Sequence, residues 1–190
     1  STVYALGDVV KSTTGNLTLY YHCTVAGTSG GTEPGWNGTI GGATTDNTVT
    51  WTTRDFPDGN DALAAHGRLW VVDSSATVIY FSDLLIPQNF SGGSSGYIDL
   101  KDVWVEGMET ITAITEFNGR LIIFGKRSIV VYTGADDVFT MQLEEQQSGI
   151  GCIARDTVAQ IGNEVVFLSQ SGVRGLARTL DAGSLPMTDV

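Results

Sequence analysis

Three short stretches of the chain match one another, and this repetition limits the fold more than any other feature. Gly67-Arg68-Leu69-Trp70-Val71-Val72 matches Gly119-Arg120-Leu121-Ile122-Ile123-Phe124. Gly162-Asn163-Glu164-Val165-Val166-Phe167 matches again in weaker form, with the glycines 52 and then 43 residues apart. A strand-like run precedes each glycine: Ala62 to His66, Ile111 to Phe117, and Thr157 to Ile161. Another follows each unit after a short turn: Thr77 to Ser82, Ser128 to Tyr132, and Gly172 to Ala177. A fourth, outer strand is expected at Tyr97 to Leu100 and at Phe139 to Glu144, while the third unit runs out near residue 180. Four short strands per roughly 40–50 residues is the pattern of a β-propeller blade. One such sheet cannot bury both faces, so blades stack on one another, with the apolar second strands supplying the contact. Glycine suits the tight first hairpin because it accepts positive φ. A β-sandwich with similar hairpins is the alternative. Three units fall short of the roughly four blades that a closed propeller needs. The ring is therefore expected to be completed by more of a longer polypeptide or by other segments.

Composition agrees with an all-β chain. Gly 24, Thr 23 and Ser 14 make up close to a third of the 190 residues, and only 16% are charged, against a usual ~25%. A helical bundle would need far more Ala, Glu, Lys and Leu. Disorder is excluded by 42% hydrophobic residues, enough to bury a core. The apolar runs are only a few residues long, so no membrane span is expected. The net charge of −11 disfavours a phosphate-gripping surface. It suits either solubility or the low-friction passage of a polyanion. Cys23 and Cys152 are 129 residues apart and form neither a zinc site nor a disulfide scaffold. No signal peptide is visible, and the chain opens inside the strand-like run Thr2 to Leu6, as a processed or excised piece would.

Residues 1–55 read as a separate small β module, 56–60 as a linker, and 61–190 as about three blade units. Within the module, strands are expected at Tyr4 to Val10, Leu17 to Val25 and Thr48 to Thr53, with Gly15-Asn16 as the first turn. Residues 27–47 form a long loop rich in turn residues, and Trp36 is expected to fold back onto the strands as its anchor. Trp36 and Trp51, with Tyr20 and Tyr21, have two readings: a sugar-stacking platform, or the core of a domain with few other large apolar groups. The core reading is preferred.

Catalytic signals fail on context, and the chain is read as no enzyme, with no cofactor and no metal. Gly27-Thr28-Ser29-Gly30-Gly31 fits G-x-S-x-G, but that pattern needs a strand-to-helix elbow with a downstream acid and histidine. His22 and His66 read as structural, hydrogen-bonded residues. Asp136-Asp137 reads as a solvated turn rather than a calcium site, and Glu144-Glu145 and Glu106 with Glu109 as solvated faces. The sequons at Asn16, Asn37 and Asn89 matter only on secretion.

Beyond these signals, Tyr4-Ala5-Leu6-Gly7-Asp8-Val9-Val10, Tyr21-His22-Cys23-Thr24, Glu33-Pro34-Gly35-Trp36 and Val49-Thr50-Trp51 resemble a small β module that recurs in bacteriophage virion proteins. It is also similar to chitin- and cellulose-binding modules. The second part resembles the propeller region of tail nozzle proteins of short-tailed phages (tail tubular protein B) and of packaged-DNA stabilisation hub proteins. That resemblance covers roughly residues 61–178. It rests on Ile79-Tyr80-Phe81-Ser82-Asp83, Pro87-Gln88-Asn89-Phe90, Ile111 to Gly125, Ser128 to Gly134, Gly151 to Thr157 and Val166 to Val173. It implies a structural virion protein in a hexameric ring that contacts an adaptor and fibres or spikes. Such a ring retains packaged DNA and conducts it on ejection without specific binding. The alternative is a carbohydrate-binding adhesion module for host-surface glycan.

Overall fold

The computed structural model describes residues 1–14, 19–101, 103–104, 107, 109–176 and 187–189. The expected Gly15-Asn16 turn, the start of the second strand at Leu17, the first sequon, Glu106 and Ala177 lie outside these residues. The described chain is all-β, with a single 3-10 turn at Arg155–Thr157. No helix among the described residues is long and apolar enough to cross a membrane.

The first unit contains β1 (Val3–Tyr4), β2 (Val9–Lys11), β3 (Leu19–Val25), β4 (Gly27–Thr28), β5 (Ala43–Asp46) and β6 (Val49–Asp55). Four of these form an antiparallel sheet in the order β2-β3-β6-β5, and β1 pairs with β4 as a separate ribbon. Alternation sets its core: Leu19, Tyr21 and Cys23 of β3 point inward with Val49 and Trp51 of β6, as expected when one sheet face is packed.

The second part follows with β7 (Gly59–Ala65), β8 (Arg68–Asp73), β9 (Val78–Phe81) and β10 (Gly96–Asp99). Next come β11 (Ile111–Phe117), β12 (Arg120–Gly125), β13 (Ser128–Thr133) and β14 (Gln142–Ser148). Last are β15 (Ala159–Ile161), β16 (Glu164–Ser169), β17 (Gly172–Leu176) and β18 (Met187–Asp189). Each set of four is an antiparallel meander whose spatial order is its chain order. These are propeller-type blades, and no sheet closes on another among the described residues.

Several boundaries differ from the sequence reading. The strand β7 begins at Gly59, leaving only Phe56, Pro57 and Asp58 between the last module strand and the first blade. Gly59 is therefore not linker punctuation. A Cβ there would lie 2.3 Å from Val71 Cγ1 and 2.7 Å from Val72 O, so glycine permits the close approach at the bulge between Gly59 and Asp61. Phe139 falls in the turn before β14, where its N–H is capped by Asp137 Oδ1 at 3.1 Å. Thr157 ends the 3-10 turn instead of opening a strand: its hydroxyl donates to Ala154 O at 2.6 Å. The third unit does have a fourth strand, β18.

The blades stack through opposite faces. Trp70, Val72, Ile79 and Phe81, on the trailing face of blade 1, pack against Leu121, Ile123, Val130 and Tyr132, on the leading face of blade 2. Ile122, Phe124, Ile129 and Val131, on the trailing face of blade 2, pack against Val165, Phe167 and Leu176, on the leading face of blade 3. Blade 2 is thus covered on both sides, which is why Leu121 to Phe124 and Ile129 to Tyr132 are unbroken apolar runs. The first strands converge at one edge. β7 lies beside β11, and the Arg155 guanidinium, just ahead of β15, donates to Asn60 O of β7.

The third match in the sequence is displaced by one residue. Hairpin-closing pairs are Ala65 with Arg68, Phe117 with Arg120, and Ile161 with Glu164. In the first two turns both central residues have positive φ: His66 54° with Gly67 67°, and Asn118 51° with Gly119 75°. In the third only Gly162 does, at 61°. The first two are therefore of type I′, with glycine second, and the third is of type II′, with glycine first. Glu164, not Asn163, stands at the arginine position.

That arginine is structural. Buried Arg68 reaches across blade 1, with Nη1 donating to Ser82 O (2.7 Å) and Ser94 O (3.1 Å) and Nη2 to Ser94 Oγ (2.9 Å). Arg120 makes the matching span in blade 2 to the Glu144 carboxylate, with Nη2 2.7 Å from Oε1. Glu144 is therefore an ion-pair partner rather than a solvated side chain.

Candidate functional site

The candidate residues of the module divide between two faces. Neighbours in a strand point to opposite sides, so β3 sends Tyr21 inward and Tyr20 outward. Tyr20 meets Phe56 edge-on with centroids 4.8 Å apart, and Lys11 Nζ lies 5.3 Å from its ring. Tyr21, Trp51 and Trp36 come together. Trp36 stacks on Tyr21 at 3.9 Å and 22° and meets Trp51 edge-on at 5.9 Å. Tyr4 closes the other side of Trp51 at 4.7 Å. Tyr21 and Trp51 are fully covered and Trp36 is half-buried. The loop anchor expected at Trp36 is present. Of the four candidate residues Tyr20, Tyr21, Trp36 and Trp51, Trp36 combines membership of this cluster with partial exposure.

Glu33 holds that loop, a role the sequence reading missed. Its Oε1 accepts from Trp36 Nε1 (2.6 Å), Ser12 Oγ (2.8 Å) and Thr13 N (2.9 Å), and its Oε2 accepts from the Thr13 hydroxyl and, at 3.3 Å, from Thr14 Oγ1. The Thr13 hydroxyl bond, with those from Trp36, the Thr13 amide and Ser12, holds the carboxyl down to about 2. The available signal was an indole N–H three residues after a glutamate, with Ser12-Thr13-Thr14 as further donors.

Beside this cluster is a cleft of about 340 Å³, bordered by Tyr4, Lys11, Glu33, Trp36, Asp46 and Trp51. Asp46 Oδ1 accepts from Gly30 N at 2.7 Å, and the buried Trp51 Nε1 makes no hydrogen bond. A second cleft of about 520 Å³ lies where Ile40, Phe56 and Phe90 face Tyr80, with Asp55, Asp58 and Asp73 at its border. The carboxylate of Asp73 is engaged by Ser75, Thr77 and Val78.

Ser29 lies directly after β4, where its Oγ accepts from Thr2 N at 2.9 Å. The next element in the chain is the strand β5, not a helix. His22 bonds the Gly7 backbone, as expected of a structural residue, but its Nε2 and His66 Nε2 are buried without a hydrogen bond. Burial, then Arg54, pushes the His22 pKa down. Asp137 serves the turn after β13. Among the described residues no group of three or more His, Cys, Asp or Glu could hold a metal ion. Cys23 and Cys152 are both buried free thiols. No protein-family model matches the chain, and no curated protein matches it.

Proposed function

We propose that this chain is a structural component of a virion, a wall element of the tail nozzle or hub of a short-tailed phage. The observation that carries this reading is the stack of three four-stranded blades, with the middle one buried on both faces. Such a stack makes a stiff wall, because packed sheets transmit force with little rearrangement. The residues resembling nozzle proteins fall within these blades. A net charge of −11 favours a conduit that does not hold DNA. Expected partners are further copies of the chain, an adaptor, and fibres or spikes. Antibody against the chain should label the tail end of purified virions under negative-stain microscopy, and mass spectrometry should find it in washed particles. Absence from the particles refutes the proposal.

A second reading, adhesion to host-surface glycan through residues 1–55, is favoured by the cleft beside half-exposed Trp36. Glycan-array binding that disappears in Trp36→Ala while the fold persists would support it. No binding by the intact chain would dismiss it.

A further inference from the structure

The second cleft, of about 520 Å³, lies where the end of the module meets blade 1. Its volume falls within the roughly 300–1,000 Å³ of small-molecule sites, which favour junctions between domains. Its walls are aromatic: Phe56 and Phe90 stand 5.8 Å apart at 55°, Tyr80 lines the cleft with them, and all three residues are half-buried. Its border is acidic. Asp55, Asp58 and Asp73 line it, and among the described residues no lysine or arginine does. Arg54 stops at the rim, where it donates to Ser91 Oγ at 3.2 Å. The three carboxylates do not converge, since no group of three among the described residues could hold a metal ion. What converges is the ring wall. A cation already lies on the same string of rings: Phe56 meets Tyr20 edge-on, and Lys11 Nζ is 5.3 Å from the Tyr20 ring centroid.

We propose that this cleft binds an organic ammonium ion, of the alkylamine or quaternary kind. Its charged nitrogen lies against the Phe56, Phe90 and Tyr80 rings, and Asp55, Asp58 and Asp73 balance its charge. Ring faces attract cations, more strongly where the cation is partly desolvated. An ammonium bearing methyl or methylene groups sheds enough water to lie on a ring, whereas Mg²⁺ dehydrates reluctantly. Carboxylates at a wet border are screened beyond about 8 Å at physiological salt, so they draw the cation in and the rings retain it. Asp55 ends the last module strand, while Asp73, Tyr80 and Phe90 belong to blade 1, so an occupant bridges the two. This site is separate from the cleft at Trp36. It stands whether or not the chain belongs to a virion or binds glycan.

Isothermal titration of the full chain at about 0.15 M ionic strength, with spermidine and choline as probes, tests this. One molecule of at least one probe should bind per chain, saturably. Tighter binding of spermidine assigns the alkylamine kind, and of choline the quaternary kind. Phe90→Leu keeps an apolar side chain and should weaken binding at least about threefold. Asp58→Asn, at an exposed position, should weaken it too, and Phe139→Ala, outside the cleft, should not. Circular dichroism checks that each variant is folded. No saturable binding of either probe, equal displacement by Mg²⁺ at matched ionic strength, or wild-type affinity in folded Phe90→Leu or Asp58→Asn overturns the proposal.

Discussion

Replacing Phe124 by alanine probes the contact that makes blade 2 a two-sided layer. Its side chain is 0% exposed, and its ring lies 4.9 Å from that of Phe167 at 50°. Truncating a buried phenylalanine costs about 3–5 kcal/mol in lost transfer energy and cavity formation. The aromatic pair contributes about 0.5–1.5 kcal/mol of this. For a chain of this length, each kcal/mol lowers Tm by about 2–4 °C, so the expected drop is roughly 6–20 °C. Urea unfolding followed by circular dichroism measures the same loss isothermally. Phe167→Ala should cost a similar amount, and the double variant should fall short of the sum by about 0.5–1.5 kcal/mol. Phe139→Ala, at a side chain 85% exposed, is the control and should stay within about 0.5 kcal/mol of wild type. The stacking reasoning fails if Phe124→Ala behaves like this control, or if the two phenylalanine truncations are additive.

Three further outcomes follow from the geometry. Hydrogen bonds hold the folded Glu33 carboxyl down to about 2 against 4.5 ordinarily, so its contribution is present above pH 4.5 and is lost as pH falls towards 2; thermal melts should show an acid-dependent decline that Glu33→Gln makes shallower, the remainder coming from Asp73 and Asp83, which are also lowered. Arg68→Met removes the guanidinium donors from Ser82 O and Ser94 O, while Ser94 keeps its bonds to Asp83, and should cost about 1–3 kcal/mol, whereas Arg120→Ala breaks a more accessible ion pair and should cost about 1 kcal/mol or less; a reversed order in urea titrations would contradict the buried-strut assignment. Gly119→Ala meets open space and should cost only the positive-φ penalty of about 1 kcal/mol. Gly151→Ala would place a Cβ 2.3 Å from Gly125 O and should cost about 3 kcal/mol, so equal melting temperatures for the two would refute the close approach at the blade 2–blade 3 junction.

The middle blade was the easiest to read from sequence because Leu121 to Phe124 and Ile129 to Tyr132 are apolar on both sides, and only a layer covered twice requires that. The outer boundaries were harder. Gly59 falls in the 56–60 stretch that reads as a linker, although its lack of a Cβ lets β7 lie against Val71 and Val72. Arg68 acts across 14 to 26 residues, and Glu33, beyond its local bond from Trp36, reaches Ser12 and Thr14 across 19 to 21, a reach that local spacing does not encode. In the module, the four aromatic candidates shared a composition but not a face. The alternation of β3 separates Tyr20 from Tyr21, and that alternation was visible in the sequence.

The one-residue displacement of the third repeat matters most, because side chains in a strand alternate. A slip of one exchanges the two faces of the sheet. Aligning Gly162 with Gly119 pairs Glu164 with Leu121 and Val166 with Ile123, and so turns Glu164, Val166 and Leu168 towards blade 2. That would put a carboxylate among Ile122, Phe124 and Val131, where an ionised group without compensation is heavily penalised. The type II′ turn at Gly162-Asn163 avoids this by placing the glycine one position earlier. Val165 and Phe167 then fill the interface, and Glu164 lies across Gly175, where a Cβ would sit 1.9 Å from its Oε1. Burial chemistry selects between two turns that a glycine match cannot distinguish. The same selection turns Ile161, Val166, Leu168 and Val173 to the opposite face of blade 3, a consequence of keeping Glu164 out of the core.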